Sequence, residues 1–171
     1  MEREEPDERE IAIKEYIKNG REINAILRGI IPLKGISTFT FFNTVKILDD
    51  IIKNSKLKRP FRLFRGISGD YCQQLLSQIK EGNNTIKDFG YVSFTYDFNV
   101  AKQYALECKG FGIILIYESD PGEHALFIDE SDREILFPRK STFNIIRLRE
   151  EIIDSCKVIF IYLGRDKSET K

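Results

Sequence analysis

The sequence predicts an α+β domain. Apolar residues recur at helical spacing through the N-terminal third, and short apolar runs of strand character dominate the last third. Nothing in between shows the regular strand-helix-strand alternation of a doubly wound sheet. At 171 residues and 42% hydrophobic, the chain can bury one substantial core. The expectation is a single domain over 1–171, with a core from about 8 to 164 and flexible ends at 1–7 and 165–171.

In chain order, Ile13, Tyr16 and Ile17 fall on one face of a helix predicted over Asp7–Asn19, with Gly20 as its stop. A second helical piece is expected over Arg21–Arg28. Pro32 and Gly35 break the pattern, and Val45, Leu48 and Ile52 define a further helix ending before Lys56. Phe61–Phe64 is a strand candidate, Tyr71–Ile79 returns to helical spacing, and Asn83-Asn84 marks a loop. Tyr91–Thr95 predicts a strand and Val100–Leu106 a helix. Five strands follow at Ile113–Tyr117, Ala125–Ile128, Glu134–Phe137, Thr142–Leu148 and Val158–Leu163. The Ile113 and Val158 runs are continuously apolar, which predicts strands buried on both faces.

Composition narrows the function. Lysine plus arginine and aspartate plus glutamate balance at 27 each, so no global field draws the chain to nucleic acid or an anionic membrane. No apolar run approaches the roughly 20 residues of a membrane span, and the charged N-terminus is no export signal. A soluble monomer is expected. Cys72, Cys108 and Cys156 lack metal-site spacing and are expected to be reduced thiols, so no metal is expected. His124 is the single histidine, beside a Pro121-Gly122 turn, which disfavours a histidine-based triad. No phosphate-binding glycine loop is present. Arginine, hydroxyl and carboxylate chemistry remains.

Three segments carry that chemistry: Leu63-Phe64-Arg65-Gly66, Gly90-Tyr91-Val92-Ser93-Phe94-Thr95, and Asp132-Arg133-Glu134-Ile135-Leu136-Phe137-Pro138-Arg139. Arg65 ends an apolar strand, and its planar fork of donors suits a pyrophosphate. Ser93 and Thr95 are two apart on a strand and share a face, with Phe94 opposite toward the core. Glu134 opens a strand, and Asp132, two residues earlier, should point to the same side about 6.5 to 7 Å away.

In this order the segments resemble the arginine, serine-x-serine and glutamate-x-glutamate signature of mono-ADP-ribosyltransferases, most closely the bacterial exoenzyme toxins. The likeness extends to Tyr16–Arg28, with Ile23-Asn24 and Leu27-Arg28, to Ala101, Tyr104 and Ala105, and to Ile114–Ile128. The motifs depart at Phe94 and Thr95, where serine-threonine-serine is commoner, and at Asp132, where glutamate or glutamine is usual.

The resemblance implies N-terminal helices and two facing, roughly perpendicular sheets with NAD in the cleft between them. It implies Glu134 as the catalytic carboxylate, held by Ser93, and Asp132 as the residue serving an arginine acceptor on a protein target. For NAD it implies Arg65 as the main ligand, with Gly66, Ser93, Thr95, Asn24 and Arg28 around it and Phe98 or Tyr96 as an aromatic against the nicotinamide. The family's second phosphate-binding arginine has no clear counterpart, Lys109 being nearest. A secreted or delivered effector acting in a cytosol is the implied setting. Two rivals stand beside transfer: simple NAD hydrolysis, and an inactive member that binds a nucleotide or protein.

Overall fold

The computed structural model describes residues 5–107, 110–129 and 133–165. The expectations for Asp132, Lys109, Cys108 and the extreme ends fall outside the described residues. At the ends that are described, Asp7 caps the first helix and Arg165 pairs with Glu123.

Helix α1 spans Glu8–Leu27 and begins where the Asp7 side chain accepts the Arg9 N–H at 3.2 Å. The expected stop at Gly20 is instead a kink: Asn19 leaves helical geometry (φ −122°, ψ 19°) and the helix resumes. The missing Cβ of Gly20 admits the Tyr16 ring, which a Cβ would meet at 3.2 Å. Tyr16, Ile23 and Asn24 are thereby buried along one helix.

Helix α2 spans Thr38–Lys53, its N-terminus capped by Ser37 Oγ, which accepts the Thr40 N–H at 3.1 Å. It starts well before Val45 because Phe39 and Phe42 face solvent in its first turns and blur the apolar stripe.

The strands are β1 (Phe61–Ile67), β2 (Thr85–Asp88), β3 (Val92–Thr95), β4 (Phe111–Ser119), β5 (Leu126–Asp129), β6 (Glu134–Phe137), β7 (Ser141–Ile153) and β8 (Cys156–Gly164). Helix α3 (Gly69–Lys80) follows β1 and α4 (Phe98–Ala105) follows β3. Every predicted strand is present, and β2 is an addition, too short and polar to announce itself. β7 runs beyond Leu148 through Arg149-Glu150-Glu151. It turns into β8 at Asp154 and Ser155, whose φ of 48° and 66° suit a tight hairpin.

The order β2-β7-β8-β4-β1-β3-β6-β5 makes one eight-stranded sheet. The two sheets expected from the resemblance are its two portions, β2-β7-β8-β4-β1 and β3-β6-β5, joined through the single β1–β3 pair Phe64↔Thr95. Phe94 and Phe137 of the smaller portion pack against Tyr117 and Phe143 of the larger, with ring centroids 5.8 to 6.0 Å apart. That aromatic cluster belongs to the main core, with Leu63, Leu115 and Ile161. Residues 112–117 of β4 are all buried, as the apolar run predicts.

Helices α1 and α2 cover Tyr91 and Leu136 of the smaller portion, and α4 covers Ile114, Ile116 and Phe160 of the larger. The hinge between the portions, at Phe64 and Thr95, is where the motif residues converge.

Candidate active site

A cleft of about 590 Å³ opens at this junction, lined by Tyr16 and Asn24 from α1 and Arg28 at its C-cap, Arg65 and Gly66 from β1, Tyr71 from α3, Ser93 and Thr95 from β3, Tyr104 from α4, and Glu134. Its size is in the range of a small-molecule site. A larger hollow of about 930 Å³ is lined by residues such as Arg62, Glu118, Pro121 and Arg147, and by none of Arg65, Ser93, Thr95 and Glu134. The chemistry marks the smaller one.

Glu134 is placed by the antiparallel β3–β6 register, in which Thr95 stands opposite it. Ser93, two residues from Thr95, is its diagonal neighbour on the same face, and Ser93 Oγ donates to Glu134 Oε1 at 2.5 Å. Phe94, between them, is 1% exposed in the core, as the strand alternation requires. Thr95 Oγ1 accepts the Asp97 N–H at 3.0 Å and shapes the turn out of β3. Arg133 enters β6 with a φ of 50°, and its carbonyl accepts the Tyr96 N–H at 3.3 Å. The turn leading to Glu134 is therefore tied to the end of β3.

On the other wall Arg28 and Arg65 converge on one carboxylate that the sequence reading did not single out, Asp88. Arg28 donates from Nε and Nη2 to its two oxygens at 2.8 and 2.9 Å, and Arg65 Nη1 donates to Oδ2 at 3.0 Å. The Gly90 N–H adds a fourth bond, at 2.9 Å. Both guanidinium carbons lie over the Tyr71 ring, 5.5 and 5.7 Å from its centroid. Burial works against the charge of Asp88, but Arg65 and Arg28 outweigh it and hold its carboxyl below the usual range. Burial likewise opposes the charge of Arg65, and Asp88 reverses the effect and raises its pKa. Burial pushes the Tyr16 phenol up to about 12, so it stays a neutral donor and acceptor in the cleft.

Asn24 is 7% exposed and committed to structure: its amide donates to Tyr16 Oη at 2.9 Å and its oxygen accepts the Tyr91 N–H at 2.8 Å. It ties α1 to the start of β3. Gly66 lines the cleft, yet its lack of a Cβ is demanded by α4: an added carbon would sit 1.9 Å from the Ala101 carbonyl oxygen.

Phe98 departs from expectation. It begins α4 and packs between Phe64, at 5.4 Å, and Phe160, at 6.4 Å, in the core under that helix, because the α4 stripe points it inward. Tyr96 leans on Phe61 and Phe127 outside the cleft. The aromatics that do line the cleft are Tyr16, Tyr71 and Tyr104 among others. His124 lies elsewhere, its Nδ1 3.3 Å from the Ser55 carbonyl in an isolated bridge.

Asp88 and Tyr71 are the residues sequence reasoning missed. One signal for Asp88 was available: an aspartate two residues before a glycine commonly accepts that glycine's N–H and forms a turn, as Asp88 does with Gly90. Nothing in the sequence marks Tyr71, which reads as one more apolar position of α3.

Comparison with known proteins fits this geometry. The backbone is similar to Plx2a, an ADP-ribosyltransferase toxin from Paenibacillus larvae, with a TM-score of 0.72 at 16% identity, covering 92% of this chain and 85% of that one. It is similar to C3larvin toxin, an ADP-ribosyltransferase from the same organism, with a TM-score of 0.71 at 19% identity over 93% and 94% of the two chains. It is also similar to C3stau2 from S. aureus, solved with NAD, with a TM-score of 0.66 at 19% identity over 95% and 89%. A search of curated protein sequences finds no match. The family profile described as ADP-ribosyltransferase exoenzyme matches residues 2–163, nearly the whole chain, and the chain belongs to that family.

Proposed function

We propose that this chain is an NAD-dependent mono-ADP-ribosyltransferase that moves ADP-ribose onto an arginine of a protein target, with Glu134 as the catalytic carboxylate. One observation carries the reading most: Glu134 is held by Ser93 in the same cleft as the Arg28–Arg65 pair. A carboxylate and a cationic wall in one cleft suit a substrate with a pyrophosphate at one end and a reacting ribose at the other.

The residues present fit NAD. Arg65 and Arg28 place two guanidiniums where a pyrophosphate can be held by paired donors. When the bond from ribose C1' to nicotinamide nitrogen breaks, the electron pair leaves with nicotinamide, and positive charge develops on C1' and the ring oxygen. An ionised Glu134 stabilises that charge, much as a carboxylate does in glycoside cleavage. Ser93 fixes its rotamer in advance, so little reorganisation is needed in the transition state. A nitrogen of the acceptor then bonds C1' and loses a proton. By analogy with its family position, Asp132 is assigned to orienting and deprotonating that guanidinium.

The setting proposed is that of an effector delivered to another cell, since Plx2a and C3larvin are toxins. The test is labelled NAD incubated with the chain and a cell lysate, followed by mass spectrometry of the modified protein. Label on an arginine, absent with Glu134→Gln, is the expected result. Label on serine, threonine, asparagine or a nucleic-acid base overturns the acceptor assignment, and no cleavage of NAD overturns the transferase reading.

A further inference from the structure

We infer that Asp88 is a positioning residue for the NAD pyrophosphate: it holds the Arg28 and Arg65 guanidiniums as one preformed two-arginine grip and does not itself touch the substrate. The inference rests on the transferase reading.

The observations are geometric. Asp88 is outside the cleft lining, and its side chain is 3% exposed, whereas those of Arg28 and Arg65, at 19% and 14%, reach the cleft. Its two oxygens take three N–H bonds from the two arginines and a fourth from Gly90. It stands at the end of β2, which pairs with β7 at the sheet edge and fixes the carboxylate through the Asp88↔Ser141 register. Arg28 is the C-cap of α1 and Arg65 lies on β1, and their guanidiniums meet at the shared carboxylate over the Tyr71 ring.

Two like charges this close and this buried repel and lack solvent. One carboxylate between them offsets the repulsion and leaves a net positive charge facing the cleft. Each guanidinium also keeps donors that Asp88 does not use, since arginine carries five and Asp88 takes two from Arg28 and one from Arg65. The pair is therefore ordered before substrate arrives, and binding does not have to order it.

The test is steady-state cleavage of NAD by the full chain, with kcat and KM resolved and thermal melting measured beside them. Asp88→Asn is nearly isosteric, keeps an acceptor and a donor, and loses the charge. The expected result is a KM for NAD raised about tenfold or more while kcat stays within about threefold, since Glu134 and Ser93 lie on the opposite wall. Asp88→Glu keeps the charge and should give a KM between the two. If Asp88→Asn does not fold, Asp88→Glu carries the test: a KM raised about threefold at parental kcat supports the inference.

An unchanged or lowered KM in a folded Asp88→Asn chain overturns the inference alone. Equal losses in kcat and melting temperature with KM intact also overturn it, by showing a purely structural role. A parent chain that does not cleave NAD overturns the transferase reading and this role together.

Discussion

The two walls of the cleft are built on different principles. The arginine wall is closed by internal bonds: Arg28 and Arg65 on Asp88, Asn24 between Tyr16 and the Tyr91 amide, all largely buried. On the glutamate wall Ser93 bonds Glu134, the β3–β6 register sets its place, and the turn before it is tied to the end of β3. Beyond it lie Tyr96 and Phe127, 38% and 53% exposed. The first wall is suited to gripping a fixed ligand whose shape does not change from turnover to turnover. On the proposed function the second would meet both the reacting ribose and the protein acceptor, and its outer part is open to solvent. Binding and chemistry are thus assigned to opposite sides, and substitutions on each side should separate KM from kcat.

The largest effect is expected at Glu134. Glu134→Gln keeps the shape of the side chain and removes the charge that the transition state requires, so NAD cleavage should fall about 100-fold or more with KM little changed. Thermal melting should match the parent, because the carboxylate sits at the cleft and not in the core. A Glu134→Gln chain that melts normally and cleaves NAD at the parental rate removes Glu134 from the chemistry. It would also erase the contrast between the walls.

The next effect tests the other wall. Arg65→Lys preserves charge but replaces a planar fork with a single ammonium, which cannot reach Asp88 and a pyrophosphate together in the same way. Calorimetric titration should show NAD binding weakened about tenfold. Unchanged affinity would remove Arg65 from the site. A loss confined to kcat would place Arg65 with the chemistry and break the division of labour.

How much of this was legible beforehand depends on the kind of signal. The α+β class and every strand but β2 were readable from periodicity, and the resemblance of the motifs in their order implied the meeting of Arg65, Ser93 and Glu134. The early start of α2 and the long β7 were not, because exposed phenylalanines and charged strand residues cancel the periodic signal there, and the kink at Asn19 was not, because Gly20 after it reads as a stop. Asp88 and Phe98 teach the sharper lesson. Asp88 acts through partners 60 and 23 positions away in the chain, and no local pattern encodes such a meeting. Phe98 looked available for stacking because it follows the serine motif, but the helix it begins turns it to the core.

The third effect separates transfer from cleavage. Asp132→Ala should abolish transfer to protein while sparing slow hydrolysis of NAD to free ADP-ribose, and Asp132→Glu should retain transfer. Both reactions are measured on the same preparations. Loss of hydrolysis together with transfer would reassign Asp132 to the support of Glu134 or of NAD, and the acceptor side of the cleft would need another base.

The smallest effect is at Ser93, where the contrast between the walls is most finely drawn. Its hydroxyl gives Glu134 a single hydrogen bond, on one oxygen, and that bond fixes where the charge sits without creating it. Removing a hydrogen bond to a charged group costs about 1.5 to 3 kcal/mol when the group is left short of a partner. Glu134 is only partly buried, so solvent replaces part of the loss, and Ser93→Ala should lower kcat about tenfold, less than Glu134→Gln does. KM should stay near the parental value, because the pyrophosphate grip is on the opposite wall and bonded to Asp88 instead. Ser93→Thr retains a hydroxyl on the same face of β3 and should recover most of the rate. Since the double variant Ser93→Ala with Glu134→Gln has no carboxylate left to position, its rate should equal that of Glu134→Gln alone. Additive losses in that double variant would show that Ser93 acts on the substrate directly and not through Glu134. A KM raised with kcat intact in Ser93→Ala would move Ser93 to the binding side and dissolve the separation of the two walls.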